Sequence, residues 1–240
     1  MKLGADFRRD ERVAAMHSKK RRGAEENSPQ SALDFLLGSL GAVPGGGTSR
    51  RVRFEREVEG LRLWSAQEDC RLNADFAAAL KPVASGAEHD VFFAEEMQSA
   101  IKITRDGRFG HSLEGEGISA LPSEYLQRLV YHNELFGDRI AVCGVMVVER
   151  AVHLVSRQPW IKSASTRPVP EQDEIDEYFA GLDFSKSDQL AAPAYYHRTL
   201  NVAVLDAHPL NVLRDENGRL VPIDVVVGQT SNPTRALLGF

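Results

Sequence analysis

Apolar and polar residues alternate with different periods along the chain, and each period predicts a different element. The segment "SPQSALDFLLGSL" begins at a serine and has helical apolar spacing. From Arg53 a second helical pattern places Val58, Leu61 and Trp64 on one face. We therefore expect a short helix first and a longer helix at the start of the folded body.

Two later segments have the alternation and the turn residues of β-structure. The segment "KPVASGAEHDVFFAEEMQSAIKITRDG" predicts three strands in a meander, with a turn at Gly86. The segments "IAVCGVMVVE" and "AVHLVSRQPWI" predict a further pair of strands. This part of the chain is expected to form an antiparallel sheet.

Helical spacing returns between and after these strands. "PSEYLQRLVYHNELFGD" predicts a helix that begins near Pro122 and stops near Gly137, and its expected buried stripe is Tyr125, Leu126, Leu129 and Val130. "PEQDEIDEYFAGLDF" predicts an amphipathic helix with acidic residues near its start. "DQLAAPAYYHRTLNVAV" is interpreted as partly helical, and "VAVLDAHPLNVLRDENGRLVPIDVVVG" as a hairpin.

Composition narrows the class of protein. The apolar fraction of 42% suffices for a packed core. No apolar run approaches the roughly 18 residues of a membrane-spanning helix. The charged start "MKLGADFRRDERVAAMH" does not resemble a signal peptide, and the two cysteines are far apart in sequence. We therefore expect a cytoplasmic protein.

The net charge is -5, and the charged residues are unevenly distributed along the chain. The first thirty residues carry eight Lys/Arg against five Asp/Glu, which is +3 (8 − 5), so the remainder carries -8. "SKKRRG" is either a solvated basic tail or a nucleic-acid or targeting patch. The acidic remainder argues against a nucleic-acid partner.

Four polar residues stand out beside apolar strands. Asn211 lies five residues after Asp206, and Asp224 lies thirteen residues after Asn211. Upstream, "AIKIT" places Lys102 inside an apolar strand, where an ammonium group needs an anionic partner. Phosphoryl transfer from ATP uses these groups: a lysine for the phosphates, Asp and Asn for magnesium, and an Asp for the attacking hydroxyl.

At these residues the sequence resembles the protein-kinase-like superfamily. "AIK" resembles the strand motif of the phosphate-binding lysine. "DAHPLN" resembles the catalytic loop, with Asp206 followed by Pro209 and Asn211, and its "HP" is similar to aminoglycoside- and choline-kinase-like enzymes. "PIDVV" resembles the metal-binding motif, although Val225 and Val226 replace the usual Phe-Gly.

A narrower resemblance extends from about Trp64 to Gly228. "GAEHDVFF", "AIKITRDGRFGHS", "PSEYLQRLVYHNELFGD" and "PIDV" are similar to the minimal serine/threonine/tyrosine kinase domain found in polyvalent proteins of phages and mobile elements. This resemblance implies an α+β, two-lobed, protein-kinase-like fold. Its N-lobe is expected to be an antiparallel sheet, and its C-lobe short and mostly helical.

The resemblance and the linker composition together predict three regions. Residues 1–50 are expected to be a flexible tail and linker with one short helix, ending in "GAVPGGGTSR". Residues 51–155 are expected to form the N-lobe-like region. Residues 156–240 are expected to contain the hinge and a truncated C-lobe with the catalytic loop and the metal-binding motif.

The resemblance also implies roles for particular residues. Asp206 would be the catalytic base, His208 a donor to the γ-phosphate, and Asn211 and Asp224 the magnesium ligands. Lys102 would contact the α- and β-phosphates and would also be needed for catalysis. The further nucleotide-binding residues would be Gly86 in the glycine loop, Glu124 as the partner of Lys102, and Gln158 in the hinge "SRQPW". Glu116 and Glu134 are alternative partners for the lysine.

The expected activity is therefore an ATP- and Mg²⁺-dependent transfer of a phosphoryl group to a hydroxyl acceptor, on protein Ser, Thr or Tyr. The shortened glycine loop leaves open the alternative that the protein is a pseudokinase, which binds nucleotide or a partner without turnover. The "HP" loop keeps open a small-molecule phosphotransferase. Because few residues follow Asp224, we expect no regulation by an activation loop.

Other chemistries have weaker support in the sequence. A metallohydrolase site could combine Asp206 and His208 with His197 or Asp215, but no ligand spacing of the HxH or HExxH kind accompanies them. The "GGGT" segment lacks the Lys-Ser/Thr of a Walker loop. His132 is expected to be an ordinary surface or half-buried residue.

Overall fold

A computed structural model describes residues 28–39, 49–105, 107–115 and 117–240 of the chain. The basic segment "SKKRRG", most of the glycine-rich linker and Glu116 lie outside these residues. The described chain falls into two compact units. The first unit comprises the described residues up to 110 together with 140–159, and the second comprises 111–139 and 160–240. None of the helices in the described ranges is long and apolar enough to cross a bilayer.

The described residues form a mixed α+β structure with antiparallel sheets. Its helices are α1 (Pro29–Ser39), α2 (Arg50–Gln67), α3 (Pro122–Phe136), α4 (Gln172–Ala180) and α5 (Asn232–Leu238). Its strands are β1 (Arg71–Leu72), β2 (Lys81–Ser85), β3 (His89–Ala94), β4 (Ser99–Thr104), β5 (Ala141–Val148), β6 (Ala151–Pro159), β7 (Ser185–Ser187), β8 (Ala194–His197), β9 (Val202–Leu205), β10 (Val212–Arg214), β11 (Leu220–Pro222) and β12 (Val226–Gln229). The predicted two-lobed arrangement and the predicted region boundaries stay predictions.

Both helices expected before the sheet are present in the first unit. Ser49 caps α2 by accepting a hydrogen bond from the N–H of Val52, and the helix buries Leu61 and Trp64. A Cβ at Gly60 would lie 2.7 Å from a methyl group of Leu36, so α1 and α2 pack closely at this glycine. The glycine allows an approach that a larger side chain would prevent.

The expected meander and strand pair join into one sheet in the first unit. Its strand order is β1-β5-β6-β4-β3-β2, and every pairing except the parallel β1–β5 pair is antiparallel. Ile101 and Ile103 of β4 enter a core with Val155 and Met146. Because side chains alternate across a strand, this core lies on the face opposite Lys102.

The second unit packs helices against a four-stranded sheet of order β12-β9-β8-β7. Helix α3 lies against β12. The central core cluster contains Ile175 and Phe179 of α4, Tyr195 of β8 and Val204 of β9. A separate two-stranded sheet pairs β10 with β11. The two helices predicted in this unit and the C-terminal hairpin are confirmed.

The expectation of a mostly helical C-terminal region is wrong in one respect. The segment interpreted as partly helical forms β8 and leads into β9, the first strand of the predicted hairpin. Residues 160–240 contain six strands beside α4 and α5. Tyr195 and Tyr196 are buried in two different core clusters, so β8 is covered on both faces. A strand buried on both faces reads as a continuous apolar run, which periodicity cannot distinguish from a buried helix.

Candidate active site

The C-terminal hairpin consists of two nested strand pairs. The site residues predicted within this hairpin lie where the outer pair meets the inner pair. In the outer pair, Leu205 of β9 lies opposite Val226 of β12. In the inner pair, Val212 of β10 lies opposite Pro222 of β11. The N–H of Ile223 donates to the main-chain oxygen of Asn211 at 2.8 Å. The nesting therefore brings the segment of Asp224 beside the segment of Asn211.

Asp206 and Asn211 are in direct contact. The Asn211 Nδ2 donates to the Asp206 Oδ2 at 2.9 Å and to the Asp206 main-chain oxygen at 2.8 Å. Because the Nδ2 of Asn211 faces Asp206, the Oδ1 on the other side of the carboxamide points away from Asp206. Asp206 has a φ of +57°, a left-handed conformation that few non-glycine residues adopt. The Asn211 side chain therefore fixes both the carboxylate and its unusual backbone.

His208 is the second polar neighbour of Asp206. Its Nδ1 accepts the N–H of Leu210 at 3.2 Å, so the remaining proton of the neutral ring lies on Nε2. That Nε2 lies 3.4 Å from the Asp206 Oδ1, and the Asp206 side chain is 43% exposed. In this geometry His208 faces the carboxylate of Asp206.

Asp224 is held by an arginine that the sequence did not indicate. The Arg128 Nη2 lies 3.2 Å from the Asp224 Oδ1 and donates to the Asp224 main-chain oxygen at 2.9 Å. The Nε of the same arginine donates to the Val225 main-chain oxygen at 2.9 Å. The Arg128 side chain is 5% exposed and that of Asp224 is 36% exposed. Helix α3 thus fixes the Asp224 segment through a buried guanidinium.

His132, one turn after Arg128 on α3, contacts the same segment. Its Nε2 lies 3.0 Å from the main-chain oxygen of Val225, and its Nδ1 lies 2.7 Å from the Asp138 Oδ2. Both ring nitrogens therefore have a polar neighbour. The residue is 2% exposed, so the expectation of an ordinary surface or half-buried histidine is wrong. An arginine and a histidine one helical turn apart on an apolar helix face are the sequence signal from which this buried contact could have been predicted.

Glu124 lies in the first turn of α3 and is half-buried. Its Oε2 accepts the N–H of Leu121 at 3.0 Å, so one oxygen stabilises the start of the helix. Glu134, the alternative partner for the lysine, is exposed on the same helix.

The other predicted nucleotide-binding residues belong to the first unit. Lys102 lies opposite Val91 of β3 and Ser156 of β6, and it is half-buried. Ala100 lies opposite Gln158, so Lys102 and Gln158 share one face of the sheet. Gly86 lies between β2 and β3, where its N–H donates to the main-chain oxygen of His89 at 2.9 Å.

Gln158 has a further property that points to a ligand. It is 4% exposed, and its Nε2 has no hydrogen-bond partner within the described part of the chain. Leaving a buried amide without a partner costs about 1–3 kcal/mol, so such a group calls for an explanation. A ligand on the Lys102 face of the sheet would supply one.

The alternative metallohydrolase partners are engaged in turns. The His197 Nδ1 accepts the N–H of Leu200 at 3.2 Å. The Asp215 Oδ1 accepts the N–H groups of Arg219 at 2.8 Å and Asn217 at 2.9 Å, and these bonds hold the pKa of that carboxyl below its ordinary value. These contacts give both residues a role in shaping the hairpins.

Oxygen donors dominate the nested hairpin. The carboxylates of Asp206 and Asp224 and the amide oxygen of Asn211 are the hard ligands that Mg²⁺ prefers. The lysine that phosphoryl transfer also requires is present in the chain as Lys102 of the first unit, so all the residue types that this chemistry uses are present.

Comparison with known proteins agrees with this chemistry. Searches of curated proteins and of solved structures found no match to the chain. A family model described as serine/threonine/tyrosine kinase found in polyvalent proteins matches residues 55–230 of the 240 residues. The resemblance identified in the sequence is confirmed, and the chain belongs to the family of serine/threonine/tyrosine kinases found in polyvalent proteins.

Proposed function

We propose that the protein transfers the γ-phosphoryl group of ATP, with Mg²⁺, to a hydroxyl group of a protein acceptor. The observation that carries the proposal is the Asp206–Asn211 contact at the junction of the nested hairpins, beside the segment of Asp224. Family membership supports kinase-like chemistry, and the buried unpartnered amide of Gln158 supports a ligand on the Lys102 face.

Each residue of the proposed site has a distinct task. Asp206 accepts the proton of the attacking hydroxyl and orients that hydroxyl, and the Nε2–H of His208 either steadies this carboxylate or donates to the γ-phosphate. Asn211 and Asp224 hold Mg²⁺, which neutralises charge on the phosphates when bound. Lys102 contacts the α- and β-phosphates, and Glu124 is proposed as its ion-pair partner. Gly86 and Gln158 complete the proposed nucleotide site.

Phosphate transfer from radiolabelled ATP tests the proposal. The substitutions Asp206→Ala and Lys102→Ala are expected to lower the transfer rate by about 10²–10⁴-fold, because a general base and a phosphate contact are lost. The exposed Asp188 of the second unit provides a matched control, and Asp188→Ala is expected to transfer at the wild-type rate. Equal rates in wild type and Asp206→Ala would contradict the assignment of the base.

Thermal shift with Mg²⁺ and ATP separates binding from turnover. Lys102→Ala and Asp224→Asn are expected to reduce the nucleotide-dependent rise in Tm, whereas Asp206→Ala is expected to keep most of it. A panel of protein, aminoglycoside and choline acceptors distinguishes protein phosphorylation from small-molecule phosphotransfer.

One observation favours a nucleotide-binding pseudokinase as the second candidate. The Asp224 Oδ1 lies 3.2 Å from the Arg128 guanidinium, and this cation competes with Mg²⁺ for the carboxylate. A protein of this kind would show a Tm increase with nucleotide but no transfer that depends on Asp206. Transfer that falls in Asp206→Ala would exclude it.

A further inference from the structure

The backbone beside Asp206 is held at Ala207. The N–H of Ala207 donates to the main-chain oxygen of Pro193 at 3.2 Å. The Ala207 oxygen accepts from the Gln172 Nε2 at 3.3 Å. Ala207 is fully buried, so its carbonyl depends on this protein donor rather than on bulk water. Gln172 is the first residue of α4, a helix remote in sequence from the catalytic loop.

Two further groups, Asp176 and Tyr195, hold the Gln172 side chain. Its Nε2 lies 3.1 Å from the Asp176 Oδ1 and 3.0 Å from the Tyr195 hydroxyl. The Tyr195 hydroxyl donates to the Asp176 Oδ1 at 2.6 Å, and the Lys186 Nζ pairs with the Asp176 Oδ2. These residues link α4, β7 and β8 in one hydrogen-bonded network.

The protonation states of the network determine which end of the Gln172 amide faces Ala207. Burial and the neighbouring Asp176 raise the pKa of Tyr195, so the phenol keeps its proton. Desolvation acts to raise the pKa of Asp176, but hydrogen bonds from Lys186, Tyr195 and Gln172 outweigh it and lower that pKa. Since Asp176 and Ala207 both present acceptors, the amide must turn its N–H₂ end toward them.

The aromatic ring of Tyr195 is fixed as well. It is 1% exposed and stacks on Phe179, with ring centroids 4.4 Å apart. The tyrosine hydroxyl therefore cannot move without disturbing the core of the second unit.

We propose that Gln172, oriented by Asp176 and Tyr195, is a positioning residue for the catalytic loop. Asp206 adopts a φ of +57°, a strained conformation that persists when neighbouring contacts impose it. Apolar Val204 and Leu205 precede Asp206 and provide no polar side chain for this purpose. The network adds, from outside the loop, a second constraint to the one that Asn211 provides within it, and it moves no proton. This inference rests on the proposed function of Asp206.

Hydrogen exchange tests the positioning without requiring activity. Gln172→Met keeps the length of the side chain and removes its donors. The amide of Ala207 is expected to exchange at least tenfold faster in this variant, because one of the two bonds that hold the residue is lost. Glu177 is exposed on the same helix, and Glu177→Gln is expected to leave the exchange unchanged. Equal Ala207 exchange in wild type and Gln172→Met would overturn the inference.

Steady-state kinetics test the catalytic consequence. Gln172→Met is expected to lower kcat about 10–100-fold with an unchanged KM for ATP, since a misplaced base slows the chemical step without weakening nucleotide binding. Tyr195→Phe keeps the ring stacking and is expected to show a smaller loss of kcat in the same direction. A fall in Tm that parallels the loss of kcat would instead indicate a structural role and overturn the inference.

The two proposals fail in different ways. Wild-type transfer that persists unchanged in Gln172→Met overturns the inference and leaves the proposed function intact. Absence of transfer by the wild type overturns the proposed function and the catalytic part of the inference. In that case the hydrogen-exchange rate of the Ala207 amide still tests whether Gln172 positions the loop.

Discussion

Arg128 makes one ionic and two main-chain contacts with residues 224 and 225 from the buried face of α3. Arg128→Leu is expected to lower the free energy of unfolding by about 2–4 kcal/mol, because a carboxylate and two carbonyls lose a buried donor. Arg128→Lys keeps the charge without the forked geometry, so an intermediate loss is expected. Urea unfolding measures both.

The exposed Glu134 on the same helix provides the control. Glu134→Gln is expected to change the free energy of unfolding by less than about 0.5 kcal/mol. A loss in Arg128→Leu that is no larger than in Glu134→Gln would contradict the anchoring of the Asp224 segment by α3.

Cys143 gives a pH-dependent prediction. Burial raises the pKa of its thiol to about 12 and outweighs the neighbouring Arg157, which lowers that pKa; Cys70 raises the pKa by a smaller amount. At pH 8 the folded chain is expected to react with iodoacetamide at Cys143 about a thousandfold more slowly than the urea-unfolded chain, because the thiolate is the nucleophile.

Mass spectrometry of the labelled peptide follows this reaction. The rate in the folded chain is expected to keep rising up to about pH 11, whereas the rate in the unfolded chain levels off above about pH 9–10. A plateau at the lower pH in the folded chain would show that the thiol titrates normally.

Residue spacing predicted part of the candidate site. Asp206, Asn211 and Asp224 were identified because their offsets match a known motif, and the nesting of the hairpin then explains how they approach. Arg128 and His132 were missed because a helical pattern assigns charged residues to the solvent face. Their role depends on a carbonyl of the turn that precedes β12, about one hundred residues away, which no local pattern contains.

At the level of elements, the same glycine-to-alanine substitution is expected to have opposite effects on stability at two positions. Gly218 closes the β10–β11 turn with a φ of +81°, and Gly38 lies inside α1; a Cβ at either would meet no atom within 4 Å. Gly218→Ala is therefore expected to destabilise the protein by about 1 kcal/mol through its backbone conformation alone. Gly38→Ala is expected to stabilise it by about 0.5 kcal/mol.

Thermal or urea unfolding of the two variants measures whether each substitution raises or lowers the free energy of unfolding. The inner hairpin also sets the register that places Ile223 opposite Asn211, so Gly218→Ala should additionally weaken Mg²⁺-dependent nucleotide binding if the proposed function holds. Stabilisation by Gly218→Ala would mean that the turn does not require a left-handed residue.

The type of most elements was predictable because their apolar periods were distinct. The meander of β2 to β4, the pair β5–β6, and the helices α3 and α4 follow from alternation, turn residues and helix ends. Strand β8 was not recognised, since Tyr195 and Tyr196 are both buried and present no alternation. Tertiary burial on both faces removed the local signal.

At the scale of the whole molecule, neither compact unit is a continuous stretch of sequence. The first unit takes residues 140–159 from beyond α3, and the second unit takes α3 from before β5. The core of the second unit includes Tyr131, Leu135 and Phe136 of α3, packed against residues of α4 and β8. Residues 160–240 therefore contain the whole candidate catalytic loop but not the complete core of the second unit.

A fragment of residues 160–240 tests this dependence. Without α3 the fragment loses three apolar side chains and the donors that Arg128 and His132 direct at the Asp224 segment. We expect no cooperative unfolding transition and little dispersion of its amide resonances, because a small unit with part of its core removed retains little net stability. Adding a peptide of residues 118–139 in trans is expected to restore dispersion, whereas the same peptide with Arg128→Leu and Phe136→Ala should not. Cooperative folding of the fragment alone would show that the nested hairpin, and the contact between Asp206 and Asn211 within it, form independently of α3.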